Sequence, residues 1–583
     1  MADTDDTQIR LRKPFPREEY LVRTGMHEFT QYQNQRNIFA QQWEEFSELA
    51  LPTSRNTFYY GSYNWQGEKK TARQIDGTTA LALHRFCALA DSLVTPRNMI
   101  WHGLEADQTY LMRNRSIRLW YETAVSELFK HRYAPTGNFV GQNYNGWQSV
   151  GAFGNSTMFV DKLDGSRLGG VRGLRYRTIP LGETFFGENH QGVVDRMIRW
   201  FRLTAYQAAQ KWGEDALPPG MWTSLQQNSQ QLFDFLHCVK PRDEDDYDPA
   251  RIDEKGMAFT SYYISINGSC MMAPEGGYRK FPFAVRRYDQ TPGEVYGRGP
   301  GQIILPSTKT LNAQKTVFLK QAHRGADPIY IGTDEGLVDF NAKPGSYNAG
   351  GVNSDGKPLV HVLPTGDIQI SEKMMGEERG LIDDTFLGSL YKTLVENPNM
   401  KATQVIEIVN ERAMLVAPTL GRQHDEYVGQ MAERELDLLV EMRLLPPMPP
   451  LLAEAIAAGK TRNRTIDTSP LAKQARSAGD VGTIRMLETS KEIVNITQDM
   501  SYLDWFDGDA ALPAMARNQL VPESYIADDQ KMAAKRQARA KSQAQQQQLE
   551  SLPGQAAMIN AQTKMQKANP GVAPGASSIG GQG

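Results

Sequence analysis

The stretch ILPSTKTLNAQKTVFLKQAHRGA, Ile304 to Ala326, holds Lys309, Lys315, Lys320 and Arg324 and neither Asp nor Glu. Cations at that density, with no acid among them, suit one chemistry: holding a polyanion through its charged backbone. The chain around this run is balanced, with 64 Lys and Arg against 67 Asp and Glu. Any nucleic-acid contact is therefore local and not a property of bulk composition. A second run, ISEKMMGEERGLIDDTFLGSLY from Ile370, sets Glu372, Glu377, Glu378, Asp383 and Asp384 against Lys373 and Arg379. Two readings follow. Either the two runs pair their charges across a hairpin, at about 0–1 kcal/mol per exposed pair, or the cationic face looks outward at a polyanion.

Other chemistries find little footing. The carboxylates of 372–384 resemble a nuclease metal set in type only, because helical spacing scatters them around a rod. GRGPGQ, from Gly297, lacks the GxxxxGK[ST] spacing of a phosphate loop and reads as a strand-to-helix turn. GNSTM, from Gly154, does not meet the GxSxG pattern of a nucleophile elbow. Nine His are dispersed without HExxH or CxxC, so no metal site, no cofactor and no enzymatic activity are expected. No ATPase motif is present, and any movement of a bound polyanion must be driven by a partner. Cys87, Cys238 and Cys270 are far apart and odd in number, which points to a reducing compartment without a disulfide framework.

The elements that must position the charged runs follow from periodicity. Residues 16–50 read as a long amphipathic helix, and TALALHRFCALADSLV as a second, stopped by Pro96. A third lies near 108–131 and another within 136–153. From about 155 to 290 the period shifts toward two, with strands TMFVDKL, LRYRTIPL, VDRMIRWFRL, AFTSYYISI and FPFAVRRYD. TAYQAAQKWG and MWTSLQQNSQQLF read as helical inserts. The cationic run is itself a helix, with Pro306 in its first turn and Gly325 and Pro328 closing it. Lys309, Ala313, Thr316, Lys320, His323 and Arg324 share one face; Leu311, Phe318, Leu319 and Ala322 gather opposite, with Lys315 among them. A second helix covers 370–391, a long one follows 403 with a bend at Pro418, and TIDTSP is strand-like before a helix with Ser469 as N-cap and Pro470 at its first position. The N-terminus MADTDDTQIRLRKPFP has no apolar core and does not read as a signal peptide. No stretch approaches the roughly 20 apolar residues of a membrane span. The end of the chain is a basic Gln-rich helix with Lys531, Lys535, Arg536, Arg539 and Lys541, trailing into a disordered tail. That helix is either an ordinary solvated one or a contact for a polyanion or for other proteins.

One block goes further. FPFAVRRYDQTPGEVYGRGPGQIILPSTKTLN resembles the most characteristic segment of the head-to-tail connecting proteins of tailed bacteriophages, the portal proteins of short-tailed type. Pro292, Gly293, Glu294, Val295, Tyr296, Gly297, Arg298, Pro300, Leu305, Pro306, Leu311 and Asn312 carry the match. LADSLVTPRNMIWHGL, VGAFGNSTMFVD and LVAPTLGRQHDEY with LLPPMPP support it in the right order, covering most of 16–530. The chain departs from the pattern at Lys401, where the family favours Thr before the ATxV helix start.

The resemblance implies an α+β subunit with long stem helices, a mixed α/β wing, a small β-rich clip and a helical C-terminal crown. It divides the chain into an N-terminal arm and wing (1–303), first stem helix (304–326), clip (327–369), second stem helix (370–394), tunnel loop (395–402), long kinked wing helix (403–450), crown (451–530) and basic tail (531–583). It implies a homo-oligomeric ring, a dodecamer, at one capsid vertex of the virion, made in the host cytoplasm. Double-stranded DNA would pass through it without sequence specificity during packaging and ejection. Terminase large subunit, tail adaptors, major capsid and scaffolding proteins would dock on it, and no membrane is involved. Lys309, Lys320 and Arg324 would line the channel, and Asn397, Pro398, Asn399, Met400 and Lys401 would form the tunnel loop. The alternatives are a tail adaptor or other virion scaffold protein, or a metal-dependent DNA-processing enzyme.

Overall fold

The computed structural model describes residues 16–51, 58, 74–163, 165, 170–251, 253–332, 340–364, 368–395, 421–468, 470–519, 521–528, 530–545 and 564. The chain divides into two compact units, 1–475 and 476–583. The first is α+β. It opens with α1 (Pro16–Ala50), a 35-residue helix that starts at a proline, where the missing N–H costs nothing. Its N-terminal half lays Leu21 and Phe29 on a sheet with Phe185, Ile198, Trp200 and Leu236. Its C-terminal half buries Ala40, Trp43 and Phe46 in the main core. Between them Arg36 is buried with no acidic partner among the described residues. Its guanidinium donates to the carbonyls of Leu181, Gly182, Thr184 and Phe58 at 2.5–3.1 Å and lies 3.7 Å above the Phe185 ring. Burial lowers its pKa to about 10, against the opposing pull of Tyr296.

Then follow α2 (Thr78–Val94), β1 (His102–Ala106), α3 (Thr109–Met112), α4 (Arg115–Arg132) and α5 (Phe139–Phe153). Asn114 caps α4, its side chain accepting from Ser116 N at 3.0 Å, as expected of an N-cap residue. β2 (Asn155–Lys162), β3 (Leu174–Ile179) and the later β10 (Phe283–Arg287) form a three-stranded antiparallel sheet in the order β10-β2-β3. β4 (Thr184–Glu188), β5 (Val194–Thr204), β6 (Leu232–Pro241), β7 (Phe259–Ser265), β8 (Cys270–Met271) and β9 (Gly276–Tyr278) make a second sheet in the order β4-β5-β6-β7-β8, with β9 also on β7. The inserts α6 (Ala205–Trp212) and α7 (Pro219–Gln227) interrupt it. α6 starts at a reciprocal capping box, Gln207 N donating to Thr204 Oγ1 at 3.2 Å and Thr204 N to Gln207 Oε1 at 3.1 Å.

Here the sequence reading needs correction. The helical insert expected through Phe233 ends at Gln227, and Leu232 opens β6, the central strand. β6 is buried on both faces from Phe235 to Val239, so it shows no clean alternation and hides from a period-two search. β4 escapes for the same reason, since Thr184, Phe185, Phe186 and Gly187 are all buried.

After β10 come α8 (Pro300–Ile303), α9 (Leu305–Ala326), β11 (Tyr330–Gly332), β12 (Val360–Val362), α10 (Ile368–Thr385) and α11 (Gly388–Val395). α9 and α10 pack together, and β11 pairs antiparallel with β12 between them, so the hairpin with a β-containing tip is present. Of the three tip strands expected from sequence, the first and third are these; GLVDF lies almost wholly outside the described residues, as does Pro418. Periodicity makes the second helix continuous, but it breaks between α10 and α11 at Leu387, whose φ of 59° is left-handed, a rare conformation for a residue with a side chain. α12 (Gln430–Glu441), α13 (Pro450–Ala457) and β13 (Asn463–Asp467) complete the unit. β13 pairs with β1, and α14 (Pro470–Thr497) begins at the expected proline. The second unit holds the rest of α14, α15 (Gly508–Asn518) and the helix 530–545. There Asn518 donates to Asp480 at 2.7 Å.

A second core lies around Arg132. Both Arg132 and Glu435 are fully buried; Arg132 Nε donates to Glu435 Oε1 at 3.0 Å, and the Tyr176 hydroxyl donates to the same carboxylate. The guanidinium sits 4.7 Å from the ring centres of Trp101 and Phe129. This one group ties α4, β3 and α12 together. His102 beside it is held well below its ordinary pKa by burial and then by the Arg132 charge. Removing one partner of such a pair leaves a buried charge uncompensated. Glu435→Ala should cost about 3–5 kcal/mol, and Arg132→Met with Glu435→Leu much less. The urea midpoint of the first unfolding transition checks this; equal losses for both variants would sink the account.

Candidate nucleic-acid interface

The cationic helix is held from below. The segment from Gly297 to Gly301 runs against the end of α5, backbone on backbone. Gly154 closes α5 with φ of 77°. A Cβ on Gly299 would stand 2.5 Å from Gly154 N, and one on Gly301 2.5 Å from Ala152 O. Asn155 clasps Gly297 from both sides, its amide donating to Gly297 O and its carbonyl accepting from Gly297 N, each at 2.8 Å. Tyr296 is buried among Phe39, Trp43 and Phe186. The glycines of GRGPGQ thus serve close approach at a turn into α8 and α9.

The footing of α9 is a polar knot. Leu305, Thr308, Leu311 and Asn312 are its buried residues. Asn312 Oδ1 accepts from the backbone N–H of Ile75 at 2.8 Å and of Asp76 at 3.0 Å, and its Nδ2 donates to Thr308 O at 2.8 Å. Asp76 in turn accepts from Thr78 N at 2.9 Å, capping the start of α2, and from Arg379 of α10 at 2.7 Å. Burial works to raise the Asp76 carboxyl. The hydrogen bonds from Arg379 and from the Thr78 hydroxyl and amide outweigh it and hold the pKa below the ordinary value. Asn312 belongs to the matched block, but nothing in the sequence reading gives it this role, and Asp76 escapes that reading altogether. The signal was there in QIDGTT, an Asp two residues ahead of a helix.

Above this footing no ion pair joins α9 to α10 among the described residues. Lys309 pairs with Glu45 of α1 at 2.6 Å. Lys320 and Arg324 are exposed and join no ion pair among the described residues; Lys315 lies 5.3 Å from the Phe318 ring centre. The ion pairs of α10 run to α2 and its leading loop instead, Arg379 to Asp76 at 2.7 Å and Arg85 to Asp383 at 3.5 Å. Asp383 also receives Lys392 of α11 at 2.7 Å. The salt-bridged hairpin is therefore not what forms among the described residues, and α9 keeps Lys320 and Arg324 in solvent, on the face that carries Lys309. The same helices leave Val317 and Leu319 of α9 and Ile370, Met374 and Leu381 of α10 exposed. Asn397, Pro398, Asn399, Met400 and Lys401 lie outside the described residues.

Asn312→Leu leaves two backbone donors without partners and should destabilise by about 2 kcal/mol, read as a lowered urea midpoint. Asp76 gives a pH test with a definite sign. A depressed folded-state pKa stabilises above the unfolded value of about 4 and is lost as pH falls through the folded one. Asp76→Asn should therefore lower stability at pH 7 and flatten the loss below about pH 4; a variant with the parent's acid limb would refute the knot.

Residues 24–527 match the model of the family described as bacteriophage head to tail connecting protein. The chain is 23% identical over 559 residues to the portal protein of Salmonella phage epsilon15, covering 92% of this chain and 94% of that one. It is 24% identical over 433 residues to the probable portal protein of Bordetella phage BPP-1, covering 72% and 74%. The footing of α9, built from the block that carries the likeness, lies inside the matched span. With 504 of its 583 residues under one family model, the chain belongs to the bacteriophage head to tail connecting proteins.

Proposed function

We propose that this chain is the subunit of a portal ring at one vertex of a phage capsid, the passage through which the genome enters and leaves. The observation that carries the reading to particular residues is the rod α9, firmly footed by Asn312 yet holding Lys320 and Arg324 out in solvent. A closed ring of copies turns one such helix into a collar of positive charge. Many weak, screened phosphate contacts spread around a collar let DNA slide in both directions, whereas base-specific contacts would arrest it. Lys309, already paired with Glu45, is the weakest of the three proposed channel residues. The role is structural, with translocation driven by a separate motor.

The finer assignments belong to the same proposal. The ring holds twelve copies and is a virion component, joined to capsid and scaffolding proteins. The tip carrying β11 and β12, with Tyr347 and Val352 strongly exposed, docks the terminase large subunit during packaging and tail adaptors afterwards. Short strands with open edges accept further strands readily. Residues 397–401 form a constriction that hinders backward slip of DNA.

Each assignment has its measurement. Negative-stain images of the purified protein should show rings with a central hole; monomers alone at micromolar concentration would refute the assembly. Lys320→Glu with Arg324→Glu should leave rings intact and slow packaging in a salt-dependent way. Gly/Ser replacement of Asn399, Met400 and Lys401 should permit packaging to start but reduce genome retention. Deleting 345–356 should leave rings that fail to package or to join tails, and normal virion yield would sink the docking assignment.

A further inference from the structure

We infer that the helix 530–545 is a second binding surface for duplex DNA, acting through phosphates and carried by residues other than those of the stem. The inference rests on the portal reading only for the identity of the polyanion. The surface itself follows from the helix. Every described side chain from Lys531 to Gln545 is exposed except the half-buried Met532, so no apolar face holds this helix. A solvated helix normally gains support from opposite charges four residues apart. This one places like charges there, Lys531 with Lys535 and Lys535 with Arg539, and has no acid between Asp529 and Glu550. Local repulsion thus works against the helix, and an external polyanion removes it.

The distribution of partners points the same way. At about 100° per residue, Lys541, Lys531, Lys535 and Arg539 fall within about 160° of one face. None of these four joins an ion pair among the described residues. Arg536, further round the helix, pairs with Asp509 of α15 at 2.8 Å. The cation off the stripe is paired with a surface carboxylate of the same unit, and the four on it are left without one among the described residues. Successive stripe positions rise about 6 Å per four residues, close to two phosphate steps of one DNA strand at about 3.4 Å each. Gln537 lies among the cations in sequence, and Gln530 and Gln543 flank the run, as donors suited to phosphate oxygens.

The test compares full-length protein with the variant Lys531→Gln, Lys535→Gln, Arg539→Gln, Lys541→Gln, which spares Arg536, and with Lys320→Gln, Arg324→Gln. Binding to a fluorescent duplex of about 30 base pairs is followed across salt concentration, with assembly monitored by sedimentation. The tail variant should assemble as the parent does, bind at least about tenfold more weakly at low salt, and show a salt slope shallower by about 3.6, as loss of four phosphate contacts requires. Unchanged affinity and slope in the tail variant would overturn the inference, whether or not assembly changed. So would competition by polyglutamate as effective, charge for charge, as by duplex, which would make the partner an acidic protein. If only the stem variant loses binding, the tail inference falls and the channel stands; if only the tail variant does, the channel residues are wrong and the tail inference stands.

Discussion

A helix that carries cations into solvent has to be anchored by something other than its charges. In this protein Asn312 does it, by giving one side-chain carbonyl to two backbone N–H groups of the loop ahead of α2. The same loop presents Asp76, which caps α2 and receives Arg379 from α10. One loop thereby fixes both α9 and α10 without drawing on the α9 cations above Lys309. Had the acids of α10 paired with Lys320 and Arg324, the hairpin would have been held by its own charge and would have had little left for a polyanion.

The rest of the first unit shows the complementary habit, with arginines engaged inside. Arg36 is held by carbonyls, Arg132 by Glu435 and three aromatic rings, and Arg287 by Glu188 and Glu426. Arg286 lies over the rings of Trp147 and Tyr427 and donates to Asn143. Each joins elements far apart in sequence, and the planar guanidinium with its several donors suits that task better than an ammonium. These interior cations are structural and each is held by several groups of the protein, while Lys320 and Arg324 of α9 and Lys531, Lys535, Arg539 and Lys541 of 530–545 are arranged outward. The distinction could not be drawn from composition, because net charge sums the two kinds.

Legibility followed the range of the interactions. α1, α2 and α9 were readable because their periodicity and prolines are local, and the matched block was readable because its residues are contiguous. β6 and β4 were not, since a strand covered on both faces has no polar side to reveal it. β1, HGLEA, gains its strand character only by pairing with β13, whose residues 463–467 lie far along the chain. Lys309 meets Glu45 across a sequence separation of 264, which no spacing rule anticipates. The turn at Leu387 had no signal at all, for leucine is not a residue that favours a left-handed backbone. In the site, the residue types were legible and their partners were not.

The seam between the end of α5 and the segment Gly297–Gly301 has a mechanical consequence. Backbone packed on backbone at distances too short for a methyl group leaves no rotamers to rearrange and little volume to compress. A load applied along α9 therefore reaches α5, and through it the three-stranded sheet, without being absorbed at the joint. Strain imposed on α9 and α10 would then appear away from this joint, at the left-handed turn before α11 and at the two-stranded tip, while the junction of α9 with α5 moves as one body.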